Sequence, residues 1–343
     1  MLKNSVLNKM AIELLNSGII EPYTPKNFGK DFFELRGSSQ YPMFIAAVLG
    51  LKPLFDDWVS VNNYSKYIDV CRKYGLLVET DMVFSRTNTS KKDIVGGENI
   101  NTTFFEGKKF ADRKSDDEIH VFVSKDRNSL VEAKKFGWYP LVINNRSINR
   151  PYINGMHFGK CLGYPDCCID FFRKYNNWHL YSCPYEIYKN TKIIKGKAVG
   201  SYYCNSFLMD NTYSYIHHFP CSYRCRKTID LGKEIEKKIS EIEPEFIDKT
   251  KKLLKMPLLV FNEKNFIIFD GVLSKDGKSY GLNYALSQYI SNPFRPEETI
   301  DFYDSIRDGS SILMQNNEII VRSNSTVIKK IRKKPEWFMT DFD

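Results

Sequence analysis

Cysteine residues are the part of this chain best able to carry chemistry. Seven of the eight cysteines of the 343-residue chain lie between Cys161 and Cys225. The first group contains an adjacent pair, Cys167 and Cys168, and the last consists of Cys221 and Cys225 with three residues between them. Thiolates bind zinc and the iron of iron–sulfur clusters, and they also act as nucleophiles. The pattern therefore predicts a metal centre, or thiol chemistry, in this part of the chain.

Both cysteine groups are predicted to lie at the start of a helix. Asp166 is a good helix N-cap, which places Cys167 and Cys168 in the first helical turn. Ser222 is the natural cap of the second helix, and Cys225 then takes its third position. Free N–H groups and the positive dipole at a helix start lower the pKa of a thiol, and thiolate is the form that binds metal. Packing alone is a poor explanation for two such helix starts.

The predicted ligands of the metal site are Cys167, Cys168, Cys221 and Cys225. Neighbouring side chains diverge, so an adjacent cysteine pair rarely binds one ion with both sulfurs. Either one of the pair binds while the other supports or reacts, or the site holds a multi-metal cluster. His218, three residues before Cys221, is the best candidate for a ligand other than a thiolate. An iron–sulfur cluster is favoured over zinc, because an all-thiolate set with an adjacent pair suits a cluster.

The other four cysteines are weaker candidates. Cys161 lies just before the first group, and Cys183 and Cys204 lie between the two groups, with Cys204 in an aromatic stretch that predicts a core position. Cys71 falls on the apolar face of a helix predicted between Asn63 and Leu77. A thiol in such a place packs as a small apolar side chain, so Cys71 is predicted to be a buried core residue.

The two cysteine groups also resemble a known family. The segments Leu162-Gly-Tyr-Pro-x-Cys-Cys-x-x-Phe-Phe172 and His218-x-Pro-Cys-Ser-x-x-Cys225 are similar to the mostly archaeal domain-of-unknown-function family 483. The resemblance covers roughly residues 119–230, about a third of the chain. The family has no established activity, so the resemblance implies an archaeal source and gives the four motif cysteines more weight than the others. The matched positions are Tyr164, Pro165, Cys167, Cys168, His218, Pro220, Cys221, Ser222 and Cys225.

The elements around the cysteines predict a mixed α/β fold of the α+β class. A strand, a helix of about ten residues and a second strand follow one another between Ile119 and Ile143, the order of a β-α-β crossover in a parallel sheet. Alternating apolar residues after Leu258 predict a C-terminal antiparallel sheet. Three regions are predicted: residues 1–117, mainly helical with a long loop at 86–117; residues 118–256, the β-α-β unit and the cysteine-rich helical metal-binding region; and residues 257–343, mainly antiparallel β.

Composition and charge narrow the class of protein. No apolar run approaches the roughly 20 residues that span a bilayer. The segment Met1–Gly18 predicts an amphipathic helix and lacks the apolar core of a signal peptide. These features predict a cytoplasmic protein that is not in the membrane, where grouped cysteines are ligands or reactive thiols more often than disulfides. The formal net charge of +9 is spread along the chain, with its densest run only at Lys329–Lys334.

Two functions follow from these observations. The favoured one is a cytoplasmic metalloprotein with an iron–sulfur cluster that supports redox or sulfur chemistry on a small molecule or RNA. The alternative is a zinc-stabilised module that binds RNA or a protein partner through basic surfaces, without catalysis. The sequence identifies neither a substrate nor a catalytic residue, and it leaves open whether the protein is an enzyme.

Overall fold

A computed structural model gives the fold of the part of the chain that holds both cysteine groups. The predicted N-terminal helix, Met1–Gly18, lies outside the described residues. The structure describes residues 24–37, 40–87, 104–108, 113–115, 117–136, 140–143, 146–149, 155–175, 183–191, 193–194, 197–207, 214–262, 265–273, 279–287, 302, 305–306, 308–315 and 317–343.

The helices follow the stretches in which apolar residues recur at helical spacing. They are α1 (Lys30–Arg36), α2 (Tyr41–Val48), α3 (Val61–Lys73), α4 (Arg127–Phe136), α5 (Gly155–Cys161), α6 (Asp166–Tyr175), α7 (Cys183–Lys189), α8 (Arg226–Ser240) and α9 (Pro244–Leu254). Helix α3 buries Tyr67, Val70 and Cys71, so the prediction of a core thiol at Cys71 is confirmed. No helix in the described ranges combines the length and apolar character that crossing a bilayer requires.

The strands form two sheets. The six-stranded sheet has the order β1-β4-β2-β3-β5-β6, and the nine-stranded sheet has the order β14-β13-β12-β11-β10-β9-β15-β8-β7. The strands are β1 (Phe55–Ser60), β2 (Leu77–Thr87), β3 (Phe104–Lys108), β4 (Glu118–Ser124), β5 (Pro140–Ile143), β6 (Arg146–Asn149), β7 (Ile193–Ile194), β8 (Lys197–Gly200), β9 (Leu258–Asn262), β10 (Asn265–Leu273), β11 (Ser279–Ser287), β12 (Ser311–Met314), β13 (Glu318–Ser323), β14 (Thr326–Arg332) and β15 (Phe338–Phe342).

The predicted β-α-β unit consists of β4, α4 and β5. Strand β4 is antiparallel to β2, β2 is antiparallel to β3, and β3 is parallel to β5, so β4 and β5 run in the same direction. Two strands separate them in the sheet, whereas the simplest crossover joins neighbours. The C-terminal antiparallel sheet is also present, because β9 to β14 pair antiparallel throughout. The predicted α+β class is therefore confirmed.

The N-terminal part of the chain contains more strand than the sequence predicts. Strands β1 and β2 lie in the region predicted to be mainly helical, and β3 lies within the predicted loop at 86–117. Aspartate is depleted in strands, and β1 carries Asp56 and Asp57 at its centre. Each has a tertiary partner instead: Asp57 pairs with Arg36, and Asp56 lies beside His120. These contacts with residues distant in sequence stabilise β1, although its two aspartates disfavour a strand locally.

The largest hydrophobic cluster joins all three predicted regions. It extends from Phe32 in α1 to Phe342 in β15, and it includes Cys168 and Cys225. Strand β15 pairs parallel with β8 from the cysteine-rich region and antiparallel with β9, so one sheet contains segments on both sides of position 257. The cysteines therefore lie against the main core. The three-region division of the chain stays a prediction.

Candidate metal centre

The first cysteine group lies in the first turn of α6. The helix begins at Asp166, and the carbonyl of Pro165 accepts hydrogen bonds from the N–H groups of Cys168 (2.9 Å) and Ile169 (3.0 Å). Pro165 therefore occupies the cap position predicted for Asp166, whose exposed carboxylate lies 3.5 Å from Lys160. The helix starts one residue earlier than predicted. Proline is tolerated at a helix start because an N–H there would have no partner within the helix. Cys167 and Cys168 remain in the first turn, as predicted.

The second group starts its helix later than the sequence predicts. Cys225 is the N-cap of α8, and its carbonyl accepts the first helical hydrogen bond, from Ile229 (2.9 Å). The prediction of Ser222 as the cap and Cys225 as the third helical residue is therefore wrong. Ser222 stabilises a separate turn: its carbonyl accepts from the N–H of Cys225 (3.0 Å), and its Oγ accepts from the N–H of Arg224 (3.1 Å). This turn leads the chain from Cys221 to Cys225.

The two helix starts bring four sulfur atoms together. The Sγ atoms of Cys167, Cys168, Cys221 and Cys225 all lie within 4.8 Å of one another. Cys167 Sγ lies 3.9 Å from Cys168 Sγ and 3.7 Å from Cys225 Sγ, and Cys168 Sγ lies 3.6 Å from Cys225 Sγ. Both members of the adjacent pair thus point into the same group. Four thiols this close can bind a metal ion.

Polar groups beside the sulfurs fix their positions. The backbone N–H of Cys221 donates to Cys168 Sγ (3.4 Å), and the Thr228 hydroxyl lies 3.4 Å from the same sulfur. The amide of Asn190, just after α7, donates to the carbonyl of Cys221 (2.9 Å). Cys168 and Cys225 are buried, whereas Cys167 and Cys221 are half-buried. The site is therefore anchored on its inner side and reaches solvent at the other two cysteines.

The pKa values of the buried thiols Cys168 and Cys225 are shifted in opposite directions. Hydrogen bonds from the thiols of Cys168 and Cys221 lower the pKa of Cys225, and contacts with Thr228 act in the same direction against the effect of burial. Hydrogen bonds with Cys221 and Cys225 raise the pKa of Cys168, and burial adds to this rise. One thiolate stabilised by neighbouring thiols is the expected state of a group of this kind before a cation binds.

His218 lies next to the cysteines and outside the group of ligand atoms that converge. Its Nε2 lies 3.0 Å from the Thr228 hydroxyl, which in turn contacts Cys168. Burial lowers the pKa of His218 to about 3, and the positive charge of Lys52 adds to this effect, while the charge of Cys225 opposes it. The imidazole is therefore neutral. It reaches the sulfurs through a hydroxyl group and does not point at them directly.

The remaining cysteines lie apart from the four sulfurs. Burial raises the pKa of Cys71 to about 12, which suits an inert core thiol. Cys204 is also fully buried, burial again raises its pKa, and its thiol lies 3.8 Å from the carbonyl of Cys225. Cys161 is half-buried and Cys183 is buried. None of these four cysteines belongs to the group that converges.

Sequence reasoning missed Thr228, Asn190 and Lys52. Thr228 lies three positions after the N-cap residue Cys225, where N-cap and N3 side chains meet, but the cap predicted at Ser222 concealed this signal. Asn190 and Lys52 had none, since each reaches the centre from a distant part of the chain. Their roles depend on the tertiary fold alone.

Comparison with known proteins gives no further guide. The chain matches no protein-family model, no curated protein and no solved structure. The candidate function therefore rests on the geometry of the four cysteines.

Proposed function

We propose that Cys167, Cys168, Cys221 and Cys225 bind a single zinc ion in a closed tetrahedral site. The observation that carries this proposal is the spacing of the sulfurs, which lie 3.6, 3.7 and 3.9 Å apart in the three pairs given above. A tetrahedral ion with Zn–S bonds of about 2.3 Å requires sulfurs about 3.8 Å apart. The thiols of Cys167, Cys168 and Cys225 thus have the separation that one ion demands, and Cys221 Sγ lies within 4.8 Å of each of them.

The same spacing argues against the iron–sulfur cluster favoured by the sequence. In a four-iron cluster each cysteine binds a different iron, so the cysteine sulfurs lie farther apart than around one ion. The adjacent pair suggested a cluster because neighbouring side chains usually diverge. In α6 the sulfurs of Cys167 and Cys168 are 3.9 Å apart and both face Cys225. An iron–sulfur cluster remains the alternative that metal analysis tests.

A zinc ion with four protein thiolates has no open coordination position, as is typical of structural zinc sites. We therefore assign the ion a structural role, in which it joins the starts of α6 and α8 and fixes the loops before them. Binding energy at such a site becomes folding energy. His218 and Thr228 support the ligands, and no catalytic step is assigned to the ion. In this proposal the protein is a zinc-stabilised binding module of the reducing cytoplasm and a relative of the archaeal family 483.

Cobalt substitution tests the proposal with a matched control. Cobalt(II) in a four-thiolate site gives tetrahedral ligand-field bands and intense sulfur-to-metal charge-transfer bands. We expect both for the wild type and for Cys161→Ala, which removes a half-buried thiol outside the group. Cys221→Ala should lose the four-thiolate spectrum. Identical spectra for the two variants would contradict the assigned ligands.

A further inference from the structure

Lys52 is a buried cation close to the cysteine-bearing loop. Only 4% of its surface is exposed, and its ammonium donates to the carbonyls of Leu54 (3.3 Å) and Leu162. Among the residues that the structure describes, no carboxylate lies within ion-pair distance of it. Burial lowers the pKa of Lys52 to about 8, and Asp56 acts in the opposite direction. A buried charge without an adjacent opposite charge is costly, so its presence calls for a cause.

The contacts of Lys52 fix the loop that leads into α6. Leu162 starts this loop, and Gly163 follows with φ of +73°. A Cβ atom at Gly163 would lie 2.8 Å from Pro53 Cδ, so the loop packs directly on the segment that carries Lys52. The next residue, Tyr164, places its ring 4.9 Å from the ammonium. The loop is thus held at three consecutive residues, immediately before Pro165 caps the helix.

A continuous series of contacts leads from Lys52 to a sulfur atom. The ring of Tyr164, which faces Lys52, lies 5.0 Å from the ring of His218. His218 Nε2 lies 3.0 Å from the hydroxyl of Thr228, and that hydroxyl lies 3.4 Å from Cys168 Sγ. His218, Thr228 and Cys168 are buried and Tyr164 is half-buried, so the part of the path nearest the sulfur is shielded from water. Charges interact more strongly in such surroundings than they do in solvent.

We propose that Lys52 is a positioning residue of the metal centre, which holds the loop before Cys167 and Cys168 and, from behind Tyr164 and His218, adds positive charge to the surroundings of the thiolates. This inference rests on the proposed metal binding. Four thiolates carry two more negative charges than a divalent ion neutralises. Helix starts and N–H donors offset part of that charge. The buried ammonium offsets more of it, and the thiolate site in turn accounts for a buried lysine that has no carboxylate within ion-pair distance among the described residues.

The test compares cobalt(II) binding and spectra among variants of the full-length chain. Lys52→Met removes the charge and keeps most of the side-chain volume. We expect it to weaken cobalt binding about 10- to 100-fold, the usual cost of losing a group that supports metal ligands, and to shift the charge-transfer bands. Lys52→Arg keeps the charge and should restore most of the affinity. Tyr164→Leu breaks the path while leaving Lys52 in place, so it should shift the bands in the same direction even if Lys52→Met folds poorly.

Arg36→Met is the matched control for general destabilisation. Arg36 is another largely buried cation, and its Nε donates to Asp57 Oδ2 (2.8 Å) on β1. Its loss should lower stability and leave the cobalt spectrum unchanged. Wild-type affinity and spectra in both Lys52→Met and Tyr164→Leu would overturn the inference, as would equal shifts in Arg36→Met. A wild type that binds no metal would instead refute the proposed function itself.

Discussion

The Sγ atoms of Cys168 and Cys225 lie 3.6 Å apart, although 57 positions separate the two residues in sequence. Cys168 lies in the first turn of α6, and Cys225 is the N-cap of α8. Two helix starts therefore face each other across one group of thiols. Metal binding at this point would connect segments that the core alone brings together, so removing the metal should loosen both helix starts.

The Thr228 hydroxyl is expected to support the metal centre. Thr228→Val removes a buried hydroxyl that contacts both Cys168 Sγ and His218 Nε2 while keeping the side-chain shape. We predict a loss of about 1–2 kcal/mol in the free energy of unfolding, because His218 loses a buried partner. Metal affinity should also fall. Urea denaturation with and without zinc measures both effects. Thr228→Ser keeps the hydroxyl, and a Ser variant as impaired as the Val variant would contradict this role.

The metal content of cysteine variants should distinguish core cysteines from metal ligands. Cys71→Ala is expected to keep full metal content and to cost about 1–2 kcal/mol, since it leaves only a small cavity in a packed core. Cys225→Ala should lose metal and destabilise the fold further. Metal analysis and thermal unfolding of both variants measure the difference. Equal metal loss in the two variants would show that the division of the cysteines is wrong.

His120 is expected to make stability depend on pH. Its buried ring lies between Asp81 (Nδ1 to Oδ2, 2.9 Å) and Asp56 (Nε2 to Oδ2, 3.3 Å). Burial alone would lower the pKa of His120, but the hydrogen bonds to Asp56 and Asp81 outweigh it, so the folded pKa is raised. The stabilisation is therefore fully present below the unfolded pKa of about 6.5 and is lost as pH rises through the raised folded value.

The His120→Gln variant measures this contribution. We predict that it lowers stability by about 3 kcal/mol near pH 6, because it removes the positive charge between the two carboxylates. The difference from the wild type should shrink steadily at higher pH. Chemical denaturation of both proteins between pH 6 and pH 9 provides the comparison. A difference that grows with pH would contradict the assigned direction of the pKa shift.

Charge reversal on β14 should leave the metal centre unchanged. Lys330 and Arg332 are exposed and lie on the end strand of the nine-stranded sheet. Glu318 lies opposite Arg332 and 3.9 Å from Lys330, so charge reversal should cost about 1 kcal/mol in stability through repulsion between exposed carboxylates. The double variant Lys330→Glu, Arg332→Glu should keep its zinc. If β14 contacts RNA, the variant should bind an RNA oligonucleotide less tightly than the wild type, and its affinity should depend less on salt. Loss of zinc from this variant would contradict the prediction that the basic surface of β14 and the metal centre are independent.

Local signals in the sequence were sufficient to place both cysteine groups near helix starts and to single out the four cysteines whose sulfurs converge. Proline, aspartate and serine near the cysteines placed both groups at helix N-termini, with errors of one residue at Asp166 and of three at Cys225. The errors have one cause: several residues in each segment can cap a helix, and packing selects one of them. The convergence of Cys168 and Cys221, 53 positions apart, followed from the similarity of the two segments.

Several features of the fold and of the candidate site depend on tertiary contacts, which sequence patterns do not reveal. Strand β1 depends on the pairing of Asp57 with Arg36, which no periodicity reveals. His218 is near the ligands in sequence, but Thr228 lies between its ring and the sulfur. The choice between a cluster and one ion depends on sulfur separations, and sequence spacing does not give distances. Lys52 reaches the centre from a position 110 residues before Leu162.

The metal content of wild-type protein purified without oxygen tests the central claim most directly. Elemental analysis combined with the absorption spectrum distinguishes the metals without any variant. One zinc ion per chain in a colourless protein is the predicted result, in keeping with the sulfurs of Cys167, Cys168 and Cys225, which lie 3.6 to 3.9 Å apart. A brown protein that contains several iron atoms and inorganic sulfide per chain would contradict the single-ion site, and a protein with no bound metal would contradict metal binding altogether.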